Sequence, residues 1–137
     1  MISLTLSLVL QTSLMAAADQ SYTAAFNSAT ESGRPLVVLI GAEWCPACRT
    51  MKHSVVPQLE QQGALGNVSF AYVNTDRESA LSQRLMRGGS IPQLVMFHKT
   101  DKGWVRQQLT GAHSVGDIQA FLRRGEQQST VAKLTSK

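Results

Sequence analysis

The stretch Leu36-Val37-Val38-Leu39-Ile40 constrains the fold more than any other part of the sequence. It is a continuous aliphatic and β-branched run, bounded by Pro35 on one side and Gly41 on the other. A strand with one wet face alternates apolar and polar residues, whereas a run with no polar position needs cover on both faces. These residues therefore read as a central strand with helices above and below it. The flanking segments supply such helices. Ser21 can cap a helix in which Tyr22, Ala25, Phe26 and Ala29 recur at helical spacing, and Gly33-Arg34-Pro35 ends it. After the strand, the chain from Cys45 to about Gln62 is free of glycine and reads as one long helix. Pro57 lies inside it, lacks an N–H and clashes one turn back, so a kink or break is expected near Val56.

The rest of the chain continues the alternation. Asn67 to Val73 is rich in β formers and reads as a strand, and Asp76 can cap a helix carrying Ala80, Leu81, Leu85 and Met86, broken by Gly88-Gly89. Gln93 to His98 and Trp104 to Leu109, joined by Thr100-Asp101-Lys102-Gly103, read as a hairpin. Ser114-Val115-Gly116-Asp117 resembles a capping box with Asp in place of Glu, opening a last helix whose apolar face is Val115, Ile118, Phe121 and Leu122. From Gly125 onward the residues turn polar, which predicts a frayed tail. The order α-β-α-β-α-β-β-α implies a mixed sheet with helices on both faces, parallel in its first half and antiparallel in the hairpin. Periodicity assigns Phe70, Tyr72, Phe97, Phe121 and Leu122 to the core. Met51, Met86 and Met96 are scattered among different elements and read as gap-fillers. His53, His98 and His113 have no catalytic partner in the sequence and are expected at the surface.

Cys45 and Cys48, two residues apart where a strand runs into a helix, are the one chemically sharp feature. First-turn N–H groups are unpaired and the helix dipole is positive there, so a sulfur at Cys45 is favoured as thiolate, the nucleophilic form. Cys48 lies one turn further in, placed to attack a mixed disulfide between Cys45 and a substrate. Pro46 suits the first helical turn, and Arg49 and Lys52 add positive charge nearby. Other uses of the pair fit less well. A bridge closing so short a loop stabilises little. A zinc site lacks a second ligand pair, and covalent haem attachment needs His where Arg49 stands. No cofactor or metal is expected.

The segment Ala42-Glu43-Trp44-Cys45-Pro46-Ala47-Cys48 closely resembles the active-site segment of thioredoxin-like proteins, and Ser90-Ile91-Pro92-Gln93 resembles their cis-proline loop. Val73-Asn74-Thr75-Asp76 is similar to the end of the family's third strand, and Thr110-Gly111-Ala112 to its final strand-to-helix passage. The resemblance covers about Pro35 to Arg124. It implies a thioredoxin fold with a four- to five-stranded central sheet, Cys45 and Cys48 as the catalytic pair, and a substrate-binding surface of Trp44, Pro46, Ile91 and Pro92. It also implies a cis bond before Pro92. Taken alone, an X-Pro bond is cis only about 5–6% of the time, and a trans proline opening a strand is the other reading. For Trp44, packing against the domain stands beside partner docking. The sequence departs from thioredoxins proper at Leu39, where they carry a buried acid. It also departs in its Pro-Ala dipeptide, which lacks the His of strongly oxidising relatives and so favours a reductant or middling exchanger. Glu43 is the nearest carboxylate to the pair, either an acceptor for its proton or a solvated loop residue. With Pro57 displaced from the usual kink, the long helix resembles that of periplasmic thiol:disulfide reductase domains.

The 137 residues are 43% hydrophobic and 16% charged, the composition of one globular domain rather than a disordered chain. Met1 to Ala18 carries no charged side chain, and its apolar run ends in Ala16-Ala17-Ala18 before Asp19. This predicts a signal peptide over 1–18, a domain over 19–124 and a polar tail over 125–137, with an uncleaved membrane anchor or an N-terminal core helix as the alternatives. The expected location is periplasmic or otherwise exported. The net charge of +4 comes from dispersed Lys and Arg with no interleaved aromatic cluster, so nucleic acid is not an expected partner. The expected partners are protein thiol or disulfide substrates and an upstream electron donor, met by a monomer with no stable membrane insertion once the signal is removed. A non-catalytic thioredoxin-like binding or chaperone module, or more remotely a copper carrier, would use the same pair differently.

Overall fold

A computed structural model of the chain describes residues 21–135. The Met1–Ala18 segment and the expected boundary after Ala18 lie outside the described residues. Helix α1 (Tyr22–Ser32) starts at Ser21, whose hydroxyl accepts from the Ala24 N–H at 3.2 Å, and ends at Gly33 with φ 72°. The positive φ there suits glycine, which has no Cβ to clash. Strand β1 (Leu36–Gly41) is buried at every position, as its unbroken apolar run demands.

Helix α2 (Pro46–Thr50) and helix α3 (Val56–Gln61) are joined by a π-helical turn over Met51–Val55. The expected irregularity is therefore a widened turn. The Val56 N–H reaches back to Met51 O, and the next residue, Pro57, has no N–H to continue the regular ladder. Strand β2 (Ser69–Asn74) is followed by helix α4 (Ser79–Leu85), then β3 (Gln93–Thr100), β4 (Gly103–Thr110) and α5 (Val115–Thr135). The sheet order is β2-β1-β3-β4. β1 pairs parallel with β2 and antiparallel with β3, and β3 and β4 form the hairpin. This is the expected mixed α/β sheet, with four strands.

Alternation along β1 divides the core. Val37 and Leu39 face Met51, Val55, Leu59, Ile118, Phe121 and Leu122, under the π-helical turn, α3 and α5. Leu36, Val38 and Ile40 face Ala25, Ala29 and Leu85, under α1 and α4. Each fully buried aliphatic or aromatic side chain contributes about 1.5–3 kcal/mol, so two small clusters suffice to clamp the sheet.

Four expectations need correction. Asp76 does not cap α4: the helix begins at Ser79 after Glu78, and Asp76 sits in the preceding turn. Met86 lies just past the helix, in extended backbone. The chain beyond Gly125 is not frayed, because α5 runs to Thr135 with Gly125 and Ser129 buried. Small residues at those two positions let the helix approach β3, and Lys133 Nζ reaches Ser32 O at the end of α1, 3.4 Å away. The capping box is as expected: Asp117 N–H donates to Ser114 Oγ at 3.1 Å and Asp117 Oδ2 accepts from Ser114 N–H at 3.3 Å. Lastly, His98 is not at the surface but 0% exposed, with neither ring nitrogen paired. It follows Leu94 and Met96 on the inward face of β3, where strand alternation places it under α5.

Candidate active site

β1 delivers the chain to the site. Gly41 ends the buried strand, Ala42 follows it still buried, Glu43 and Trp44 turn outward, and Cys45 becomes the N-cap of α2 with Pro46 in its first turn. Cys45 Sγ accepts from the Cys48 N–H at 3.2 Å. The two cysteines form a disulfide with Cα atoms 5.2 Å apart. Cys45 is 7% exposed and Cys48 1%, so the first sulfur is the one a partner can reach. The helix N-terminus, with one N–H already aimed at Cys45 Sγ, is the electrostatic setting in which a thiolate is favoured there.

The Ile91–Pro92 peptide bond is cis. Ile40 pairs with Gln93 across the sheet, so the register carries Pro92 opposite Gly41, at the same end of the sheet as the cysteines. The loop before it is held by a residue to which the sequence assigned no role. Gln93 is fully buried; its Nε2 donates to Arg87 O at 3.0 Å, Gly88 O at 3.3 Å and Ser90 O at 3.0 Å, and its Oε1 accepts from the Arg87 N–H at 3.2 Å. A polar residue at the first position of a core strand, directly after proline, is the signal that could have revealed this clamp.

Trp44 is 69% exposed, which decides between packing and display in favour of display. Its indole N–H donates to Asp76 Oδ2 at 3.0 Å, so the residue expected to cap α4 instead orients the ring beside the pair. Pro46 is exposed and Ile91 half-buried. Trp44, Pro46, Ile91 and Pro92 thus belong to the elements surrounding the cysteines.

Lys52 does not lend its charge freely to the thiols. Its ammonium binds Glu43 Oε1 at 2.6 Å and lies 4.1 Å from the centre of the Tyr72 ring. Glu43 also faces His53 Nε2 at 3.8 Å, and the Lys52 hydrogen bond, chiefly, holds its carboxyl below the ordinary carboxylate range. Glu43 is therefore an exposed, ionised partner of Lys52. Among the described residues, no three His, Cys, Asp or Glu side chains converge on a metal-sized site. No helix among them is long and apolar enough to cross a membrane.

The profile of the thioredoxin-like family matches residues 17–99. No curated protein matches the chain significantly. Solved structures do. A thioredoxin from Thermus thermophilus superposes with a TM-score of 0.63 at 24% identity, covering 76% of this chain and 82% of that one. A Trichomonas vaginalis thioredoxin gives 0.60 at 23%, covering 76% and 90% respectively. A Fasciola hepatica thioredoxin gives 0.58 at 22%, covering 77% and 95%. At these identities the likeness shows the fold.

Proposed function

This chain belongs to the thioredoxin-like family, and from that premise we propose that it is an exported thiol–disulfide oxidoreductase that reduces disulfides in protein substrates. The reading is carried by the placement of Cys45 at a helix N-cap, its Sγ 3.2 Å from the Cys48 N–H. In the reduced protein, Cys45 thiolate attacks a substrate disulfide. One substrate sulfur joins Cys45, and the other leaves with the electron pair and takes a proton from solvent. Cys48 then attacks Cys45 Sγ, the Cys45–Cys48 bond forms, and the second substrate sulfur is released. The substrate is reduced by two electrons and the pair is oxidised, so an upstream dithiol donor must restore it.

Trp44, displayed by Asp76, and Pro46 form one wall of the docking surface. The Ile91 backbone ahead of Pro92 forms the other, for an extended substrate segment. Pro46 and Ala47 bring no imidazole beside Cys45, and Lys52 is tied to Glu43, so little specially stabilises the dithiol. This supports a reductant, with a potential nearer about −270 mV than about −120 mV. The uncharged Met1–Ala18 stretch with its Ala-Ala-Ala end supports export, and a mature chain beginning at Asp19 is the expected product. Cys45→Ser is expected to abolish reduction of a protein disulfide; a variant as fast as wild type would overturn the reading. Partner binding that survives Cys45→Ala with Cys48→Ala, in a protein without exchange activity, would instead identify a binding module.

A further inference from the structure

The second half of the exchange makes a demand that Cys45 does not meet. Cys48 must lose its proton before it can attack, because the thiolate is the nucleophile. Cys48 is 1% exposed, and burial in apolar surroundings opposes ionisation and separates the thiol from bulk water. The strand beneath it offers no help: from Leu36 to Gly41 every residue is apolar and buried.

A polar group reaches this spot from the neighbouring strand. A Cβ placed on Gly41 would stand 2.9 Å from Cys48 Sγ and 3.8 Å from the Tyr72 hydroxyl oxygen. Thiol and phenol therefore flank the same gap left by the missing side chain, with no hydrogen bond joining them in the disulfide form, and a single water is the size of group that bridges such a gap. The rest of Tyr72 is held by charge. Lys52 Nζ lies 4.1 Å from its ring centre, and the same ammonium grips Glu43 at 2.6 Å. Burial, then the charges of the Glu43 and Asp76 carboxylates and the hydroxyl's own interaction with Glu43, push the Tyr72 phenol up, with Arg77 opposing. The hydroxyl thus keeps its proton and remains a hydrogen-bond donor under conditions where thiols exchange.

Building on the exchange reading above, we propose that Tyr72 is the positioning residue of the resolving step: with its ring held by Lys52, its hydroxyl turns from Glu43 to donate to the Cys48 sulfur as that thiolate forms. The Cys48 proton passes to water. The thiolate attacks Cys45 Sγ, the Cys45–Cys48 bond forms, the Cys45–substrate bond breaks, and the substrate sulfur departs with the electron pair and is protonated by solvent. The substrate is the oxidant, so no further co-reactant enters.

Ellman's reagent separates the two halves in one trace. Reduced protein releases one thionitrobenzoate when Cys45 attacks, and a second when Cys48 displaces the adduct. Tyr72→Phe keeps the ring and its contact with Lys52 and removes only the oxygen. It is expected to slow the second release about tenfold near neutral pH, the loss of one hydrogen bond to a charged group. The pH midpoint of that phase should rise by about one unit, while the first phase stays within about twofold. Lys52→Met, which frees the ring but spares the hydroxyl, should slow the second phase several-fold with the midpoint moving the same way, and it serves if Tyr72→Phe does not fold. An unchanged second phase, or equal slowing of both phases with an unmoved midpoint, would overturn the role of Tyr72. A wild-type protein with no first phase would overturn the exchange reading and this role with it.

Discussion

Gly125→Ala separates a docked final helix from a loose one. In an exposed helix interior the change stabilises by about 1 kcal/mol, because alanine is the better helix former. Here Gly125 is buried, and a Cβ built on it would overlap Met96 Sδ and Cε and stand 3.6 Å from His98 Cδ2. Met96 and His98 are both 0% exposed, so the thioether has no open space into which to swing. Forcing an extra methyl group into such a core costs about 1–3 kcal/mol, which less the propensity gain leaves a net loss of about 1 kcal/mol. Urea slopes for small domains are about 1–3 kcal/mol per molar, so the unfolding midpoint should fall by about 0.5 M at constant slope. Met96→Val withdraws the obstructing atoms, and the double variant should be more stable than the sum of the single changes by about 1 kcal/mol. A midpoint that rises for Gly125→Ala alone would refute the docking of this helix against β3. No change at all would mean that the segment carries no structure to perturb.

Two further outcomes follow from buried polar groups. Burial holds the His98 imidazole below its ordinary pKa, so the unfolded chain takes up a proton before the folded one does. The stability linked to this group is complete above the ordinary His pKa of about 6.5 and is lost as pH falls through it towards the folded value. Chemical denaturation from about pH 7 to about pH 5 should show that loss, and His98→Leu should flatten it; the same slope in the variant would contradict the assignment. Gln93→Ala strips the clamp from the cis-proline loop and leaves the carbonyls of Arg87, Gly88 and Ser90 without this donor. A destabilisation of about 2–3 kcal/mol is expected in a denaturation curve, and a loss under about 0.5 kcal/mol would show that water replaces the side chain readily.

What could be read from the sequence was what local chemistry decides. The aliphatic run of β1, the Ser21 and Ser114–Asp117 caps, the Gly33 stop and the β3–β4 hairpin each depend on residues within a few positions of one another, so their patterns survive without tertiary context. The cysteine pair was legible for the same reason, since strand, turn and helix N-terminus are contiguous there. What was missed depends on contacts between distant segments. Asp76 looked like a cap because an acidic residue preceded a helical pattern, but the Trp44 indole, 32 positions away, claims its carboxylate. The extent of α5 was hidden because Gly125 and Ser129 lower its apparent periodicity while being the small residues that allow close approach. His98 had a readable signal, the inward alternation with Leu94 and Met96, which composition-based expectations for histidine overrode. Tyr72 was placed in the core, and only the missing side chain at Gly41 leaves its hydroxyl and Cys48 facing one gap.

The most direct test of the mechanism is the ionisation of Cys45 in the reduced protein, followed by thiolate absorbance and by the pH dependence of its alkylation, with Cys48→Ala to assign the signal. The N-cap position requires Cys45 to titrate well below the free-cysteine value of about 8.5. A Cys45 that titrates at or above that value would contradict the account, because the helix terminus would then do nothing to prepare the attacking sulfur.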